Sequence, residues 1–435
     1  MMFEHLFYTD YTTQLCSTES MVKLMMEVEL ALAKAQEDNK LIPKGTAGKL
    51  EGVFQILELE PEKLKANIPL SGNASAPLVK LLVQKIKEEN AEAAKYIHLG
   101  ATSQDIVDTA TILKAKHFLA WLHEKLDILE KILVQLTLQH RQTIMIGRTL
   151  MQHARPITFG LKTANWLQGL ISARQYLHHV EDPLLCIQLG GAVGSRNQYL
   201  TSDVRHSFAN NLGLNNVPPW HTQRVNIAAF AAALGQLSAS VGKIAKDVVM
   251  LSQVEVGEVF EPAAEGRGTS STMPHKRNPV LSAAILSNIH RIPFLVATIL
   301  ASVPQEHERS AGLWQAEWET LDDILGLTAG VVEKAINLLD GLEINENRMV
   351  ENIEVTKGLV FAEGVALALA SKTGVQSARE LVKQGCQQAA REGRHLREVL
   401  EEMDLNFSKD ELDQLFDPGN SIGYSVELID EILAA

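Results

Sequence analysis

Residues 225–256, VNIAAFAAALGQLSASVGKIAKDVVMLSQVEV, decide the fold class. Ile227, Ala231, Leu234, Leu237, Val241, Ile244, Val248, Leu251 and Val254 fall three or four positions apart, the spacing of one stripe on an α-helix. Ala, Ser and Gly fill many of the remaining positions, which lets neighbouring helices approach closely. At 1.5 Å per residue the element would be roughly 45 Å long.

The same periodicity recurs outward in both directions. Towards the N-terminus it predicts helices over 158–180, over 106–143, around 77–94 and over 18–40, with a turn at Ile68–Ala74 and a loop at Gln188–Asn197. The run over 106–143 exceeds the roughly 8–20 residues of an ordinary globular helix, so its length belongs to a bundle. Towards the C-terminus the spacing predicts helices over 280–303 and 317–339, then shorter ones at 363–371 and 377–392, with turns at Gly374 and Pro418-Gly419. β-type alternation is almost absent. The expected architecture is all-α, with an N-terminal helical domain at 1–105, a long-helix bundle at 106–342 and a C-terminal helical domain at 343–435.

Bulk properties narrow the function. The 435 residues carry 40 Lys and Arg against 53 Asp and Glu, a net charge of −13, so no overall basic field exists to attract nucleic acid. An anionic substrate would need positive charge gathered locally. Cys16, Cys186 and Cys386 are far apart and lack metal-ligand spacing, which reads as free thiols in a reducing compartment. The N-terminus shows no signal pattern and no run of 18 apolar residues occurs, so no membrane span is expected and a cytoplasmic location is the default.

Three polar stretches interrupt the helices: His98–Asp105, Gly147–Pro156 and Gly266–Asn278. The last lies within Glu265-Gly266-Arg267-Gly268-Thr269-Ser270-Ser271-Thr272-Met273-Pro274-His275-Lys276-Arg277-Asn278-Pro279. Its glycines, hydroxyls and cations suit wrapping an anion, and Pro279 suits the first turn of a following helix. Thr102 and Ser103 could equally cap the helix after them. Arg309 could be one half of a surface ion pair. Trp314 and Trp318, four apart, share a helix face and should pack.

Ser270-Ser271-x-Met273-Pro274-x-Lys276-x-Asn278 resembles the signature loop of the fumarase/aspartase superfamily. Thr102-Ser103-Gln104-Asp105 and Gly147-Arg148-Thr149…Gln152-His153-Ala154…Pro156 resemble its first and second motif regions, in the right order. The resemblance covers essentially the whole chain. It implies a homotetramer whose long helices form the core and whose active sites are each built from three chains. It implies proton transfer next to a carboxylate, with Ser271 as acid/base and Lys276 beside it. Gly100–Asp105, Gln152-His153-Ala154, Phe159-Gly160-Leu161-Lys162 and Glu306–Glu319 are similar to the branch that lactonises 3-carboxy-cis,cis-muconate in the protocatechuate arm of the β-ketoadipate pathway. The alternative is a lyase of adenylosuccinate or another succinyl adduct, which the absence of a His in the region of Asn73 weakens. Leu150 stands where other branches carry a His, Thr269 replaces a usual Gly, and Arg155 has no expected role. The implied substrate is a small tricarboxylate, with Arg148, Lys276, Arg277 and Arg309 as candidate cations. Ser271 and His153 are the candidate acids. Thr102, Ser103, Gln152, Ser270, Met273, Asn278 and His98 are the further candidate substrate-binding groups. No metal or organic cofactor is implied, because the neighbouring carboxyl group does the attacking.

Overall fold

A computed structural model of the chain describes every residue except Met1, Glu58, Leu59, Ser270, Ser271, Pro274, Asp404 and Ala435. The chain is all-α. Its main elements are α1 (Thr18–Asp38), α2 (Ser103–Gln139), β1 (Ile144–Thr149), β2 (Gln152–Thr158), α3 (Phe159–Leu184), α4 (Val225–Leu251), β3 (Val259–Phe260), α5 (Val280–Ala301), α6 (Leu313–Leu339), β4 (Glu343–Ile344), α7 (Ala362–Thr373) and α8 (Val375–Glu392). Between α1 and α2 the chain adds Thr46–Ile56, Pro61–Ser71 and Ser75–Glu89, so most of the expected turn at Ile68–Ala74 is helical. Pro69 lies inside that helix, and the turn itself starts at Gly72, whose φ of 71° suits a residue without Cβ. A second difference is the antiparallel β1–β2 hairpin, which occupies a stretch expected to be a loop.

The residues group into two compact units, each drawn from alternating segments of the chain. The first comprises Met1–Leu126, Ser172–Gly242 and Ala284–Glu333; the second comprises Asp127–Ile171, Lys243–Ala283 and Lys334–Ala435.

In the first unit α1 buries Val22, Met25, Val28, Leu32 and Ala35, and packs on the helix Ser202–Leu212. The part of α4 within this unit buries Ile227, Ala231, Leu234, Leu237 and Val241. Each large aliphatic among these contributes about 1.5–3 kcal/mol relative to exposure. Gly242 is small for a reason: a Cβ there would collide with the Ile289 side chain.

In the second unit the hairpin seats Ile146 in a cluster with Ile353, Phe361, Val365, Leu369, Val382, Leu396, Val399 and Leu400. Strand pairing sets Arg148 opposite His153 and Thr149 opposite Gln152, with an irregularity between Ile146 and Arg148. β3 and β4 form a separate two-stranded pair.

Two helices, Val225–Leu251 and Val280–Ala301, are long and apolar enough to cross a membrane by length and composition, although neither is an unbroken apolar run. Half or more of the first is buried (56% of its most apolar window), but only 28% of the second. Phe294 on α5 is 69% exposed and Leu300 is 52% exposed.

Candidate active site

The candidate residues fall into two clusters, one in each compact unit. In the first unit the organising group is Asp105, in the first turn of α2 and fully buried. Its Oδ1 accepts from the Gly190 N–H (2.8 Å) and from Gln188 Nε2 (3.3 Å), and lies 3.1 Å from His221 Nε2. Its Oδ2 accepts from the Gly191 N–H (2.9 Å) and the Thr102 N–H (3.1 Å). A carboxylate reaching back to the residue before the helix replaces the expected side-chain cap. The Thr102 hydroxyl is thereby free to accept from Arg309 Nη2 at 2.7 Å.

Arg309 also donates from Nε to Gln104 Oε1 (3.2 Å) and from Nη2 to the Ala192 carbonyl (3.2 Å). It is exposed and, among the described residues, has no carboxylate in ion-pair range, so the surface-pair reading fails and its charge is available. The Ser103 hydroxyl makes no hydrogen bond among the described residues.

Beneath this surface lies a buried network that sequence reasoning missed. Arg224 donates to Asp108 (2.7 and 3.1 Å) and from Nε to Glu317 (3.0 Å), and its guanidinium sits 4.8 Å from the Trp220 ring centroid. Burial disfavours its charge, but Asp108 and Glu317 more than offset this and hold it protonated. Gln104 Nε2 donates to Asp108 Oδ2 (3.1 Å), and Trp314 Nε1 donates to Asp108 Oδ1 (2.9 Å). Trp314 packs as expected, edge-on to Trp318 with centroids 4.9 Å apart, but also holds the network in place. His98 adopts a left-handed φ of 58°, and its Nδ1 lies 2.6 Å from Glu29. Burial pulls its pKa down, yet the hydrogen bond and charge of Glu29, with Asp105, reverse the effect and raise it above the ordinary value.

In the second unit Arg148 and Glu258 form a bidentate pair at 2.9 and 2.6 Å, and Asn352 donates to Glu258 at 2.7 Å. Glu258 is fully buried, so Arg148 anchors the hairpin and its charge is already balanced. Opposite it, His153 keeps a buried Nδ1 with no partner. Burial, reinforced by the Arg148 charge, pushes the His153 pKa below its ordinary value, against a smaller pull from Glu258. Its imidazole is therefore neutral at neutral pH. Lys162, in the first turn of α3, is lowered by burial against the attraction of Asp247. Gln152 is exposed beside the hairpin tip.

The signature stretch is fastened at its stem. Asn278 donates both its backbone N–H and its Nδ2 to the Gly268 carbonyl at 3.0 Å, and Thr269 bridges to Arg277. Arg277 forms a bidentate pair with Glu343 (2.7 and 2.7 Å) and lies over the Phe260 ring, so it braces the stem rather than standing free as a cation. The α5 N-terminus is capped by Glu261, which accepts from Leu281 (3.0 Å) and Ser282 (2.7 Å). Lys276 is exposed and has no side-chain partner among the described residues; Met273 is 43% exposed. Ser270 and Ser271 lie outside the described residues.

A family model described as "Lyase" matches residues 7–293, and one described as "Adenylosuccinate lyase C-terminus" matches 358–432. A protein of Pseudomonas aeruginosa named 3-carboxy-cis,cis-muconate cycloisomerase is 43% identical over 419 residues, covering 94% of this chain and 91% of that one. One of the same name from Acinetobacter baylyi is 38% identical, covering 99% and 98%. A solved structure of the 3-carboxy-cis,cis-muconate lactonizing enzyme from Pseudomonas putida matches with a TM-score of 0.94 at 39% identity, covering 99% and 98%. The chain belongs to the fumarase/aspartase superfamily. Described residues of each of that superfamily's motif regions lie at a junction between elements: the α2 N-terminus, the β1–β2 hairpin and the stem before α5. What the superfamily motifs did not reveal are the buried partners Asp108, Arg224 and Glu258, which lie outside every motif region; Glu317 lies within the Glu306–Glu319 stretch, but its role as partner of Arg224 does not show there.

Proposed function

We propose that the protein converts 3-carboxy-cis,cis-muconate to 4-carboxymuconolactone, working as a homotetramer whose long helices within 106–342 form the core. The observation that carries this reading is 43% identity, extending over 94% of the chain, to a protein named for that reaction. A substrate carboxylate oxygen attacks the double bond, a C–O bond forms as the π bond breaks, and the electron pair moves toward the neighbouring carboxylate. One proton then adds at the α-carbon, so nothing leaves. Charge that develops on that carboxylate needs donors fixed in advance. Arg309, with Thr102 beside it, and Lys276 supply cations not already paired. Arg148 orients the hairpin through Glu258, and Gln152, Ser103, Met273 and Asn278 complete the proposed contacts.

Ser271 is the proposed acid/base on the strength of the motif. His153, neutral before the chemistry, is better suited to hydrogen-bond or accept a proton than to arrive protonated. His98, with its raised pKa, would add positive charge near the α2 N-terminus. The adenylosuccinate reading is not favoured.

The test is an ultraviolet assay of diene loss with 3-carboxy-cis,cis-muconate on the native protein and on Ser271→Ala. Rapid loss that the variant lacks supports the reaction and the role of Ser271. Loss in both removes Ser271 from the chemistry. No loss in either overturns the substrate assignment, and adenylosuccinate becomes the next compound to try.

A further inference from the structure

Away from these clusters, α2 and α3 bring two imidazoles and a carboxylate together within the first unit. His178 and Glu181, three apart, share a face of α3, and His123 reaches them from α2. The His123 and His178 rings stack with centroids 4.5 Å apart and an interplanar angle of 3°. His123 Nε2 lies 2.6 Å from Glu181 Oε1, and His178 Nδ1 lies 3.5 Å from Glu181 Oε2. One ligand atom from each residue falls within 4.8 Å of the others.

We infer that this cluster is a binding site for a first-row divalent transition metal such as Zn2+, separate from the proposed chemistry. Two imidazoles and one carboxylate are a donor set that zinc takes in three-ligand sites, with a fourth position left for water. Ligand atoms on a tetrahedral ion with bonds of about 2.0–2.1 Å stand about 3.3 Å apart. The 3.5 Å separation already meets that. The 2.6 Å one must open by about 0.7 Å, and the nearly parallel rings must rotate so that both nitrogens face one ion, movements of side-chain torsions. The ion takes the imidazoles in their neutral form, with the His123 N–H moving to Nδ1, so protons compete with it and uptake strengthens with rising pH.

Half-exposed His178 gives the ion a route in, with its side chain 50% exposed against 22% for His123 and 17% for Glu181. His123 Nδ1 is buried without a partner, so no second group supports that ligand, and the affinity is expected to fall about 10–100-fold short of a fully supported site.

The test is a cobalt(II) titration of the full-length metal-free protein, followed by visible absorption and by metal content after gel filtration, on native protein, His178→Asn and Glu181→Gln. His178→Asn is the variant least disruptive to folding, because that side chain is the most exposed. The inference predicts one equivalent per chain, with the intense bands of a tetrahedral ion, and binding at least 10-fold weaker in both variants. Diene turnover by the variants should match the native protein. Binding that is unchanged in His178→Asn, or octahedral and non-stoichiometric in the native protein, overturns it.

Discussion

Asp105 shows how one side chain can fix a surface it does not itself present. Its carboxylate accepts the backbone N–H groups of Thr102, Gly190 and Gly191, and replacing it by Asn turns an acceptor into a donor aimed at them. Leaving such buried groups unsatisfied costs about 1–3 kcal/mol each. Asp105→Asn should therefore lower the melting temperature and speed amide exchange at Gly190 and Gly191; unchanged exchange would remove Asp105 from this role. Histidines supply the pH dependence. His153 is held below its ordinary pKa, so kcat/KM should be level above about pH 7 and fall in acid as the imidazole protonates. A pH–rate profile that instead rises below about pH 6.5 would mean that His153 works as the protonated acid. His98 is shifted the other way, so its contribution to stability is complete below about pH 6.5 and disappears as pH rises through its raised value. Denaturant titrations of His98→Gln should show a larger loss against the native protein at pH 6 than at pH 9. Of these residues, Thr102, His98, His153 and Arg309 were legible because they stand in or near polar junctions. Arg224 and Asp108 were not, because their bond joins positions 116 residues apart, one just before α4 and one inside α2, that look ordinary in their local sequence.

The hairpin teaches a similar lesson at the level of the element. The long helices were legible because apolar spacing repeats over many turns, whereas β1 and β2 are short and interrupted by Gly147 and Pro156. Their two-residue turn is Leu150-Met151, both left-handed at φ 49° and 65°, in a geometry that favours Asn-Gly. Side chains there cost about 1–2 kcal/mol per residue, and burial does little to offset it, since Leu150 is 96% exposed and Met151 66%. Leu150→Asn combined with Met151→Gly should raise stability by roughly 1–2 kcal/mol in denaturant titrations. If the tip works in the proposed site, kcat should fall in the same variant. Greater stability with full activity would make the tip a bystander. Glu258 behaves oppositely. Glu258→Gln removes the buried partner of Arg148 and should cost roughly 3–5 kcal/mol.

At the scale of the whole molecule, the proposed reaction and the proposed assembly stand together. Thr102 and Arg309 belong to one compact unit, while Arg148, His153 and Lys276 belong to the other. The superfamily resemblance, which implies sites built from several chains, gives oligomerisation a catalytic meaning. The C-terminal half of α5, where Phe294 and Leu300 are exposed, is the surface to test, because large apolar side chains left this exposed in a protomer are better covered by another copy than by water. Phe294→Arg places a charge there without touching any residue proposed to meet substrate. Sedimentation should then show species smaller than the native assembly, with far-ultraviolet circular dichroism unchanged. Diene turnover should fall with the fraction dissociated and recover at high protein concentration. A dissociated variant that keeps full turnover at nanomolar concentration would show that one chain suffices, and the shared site would have to be abandoned while the reaction itself survived.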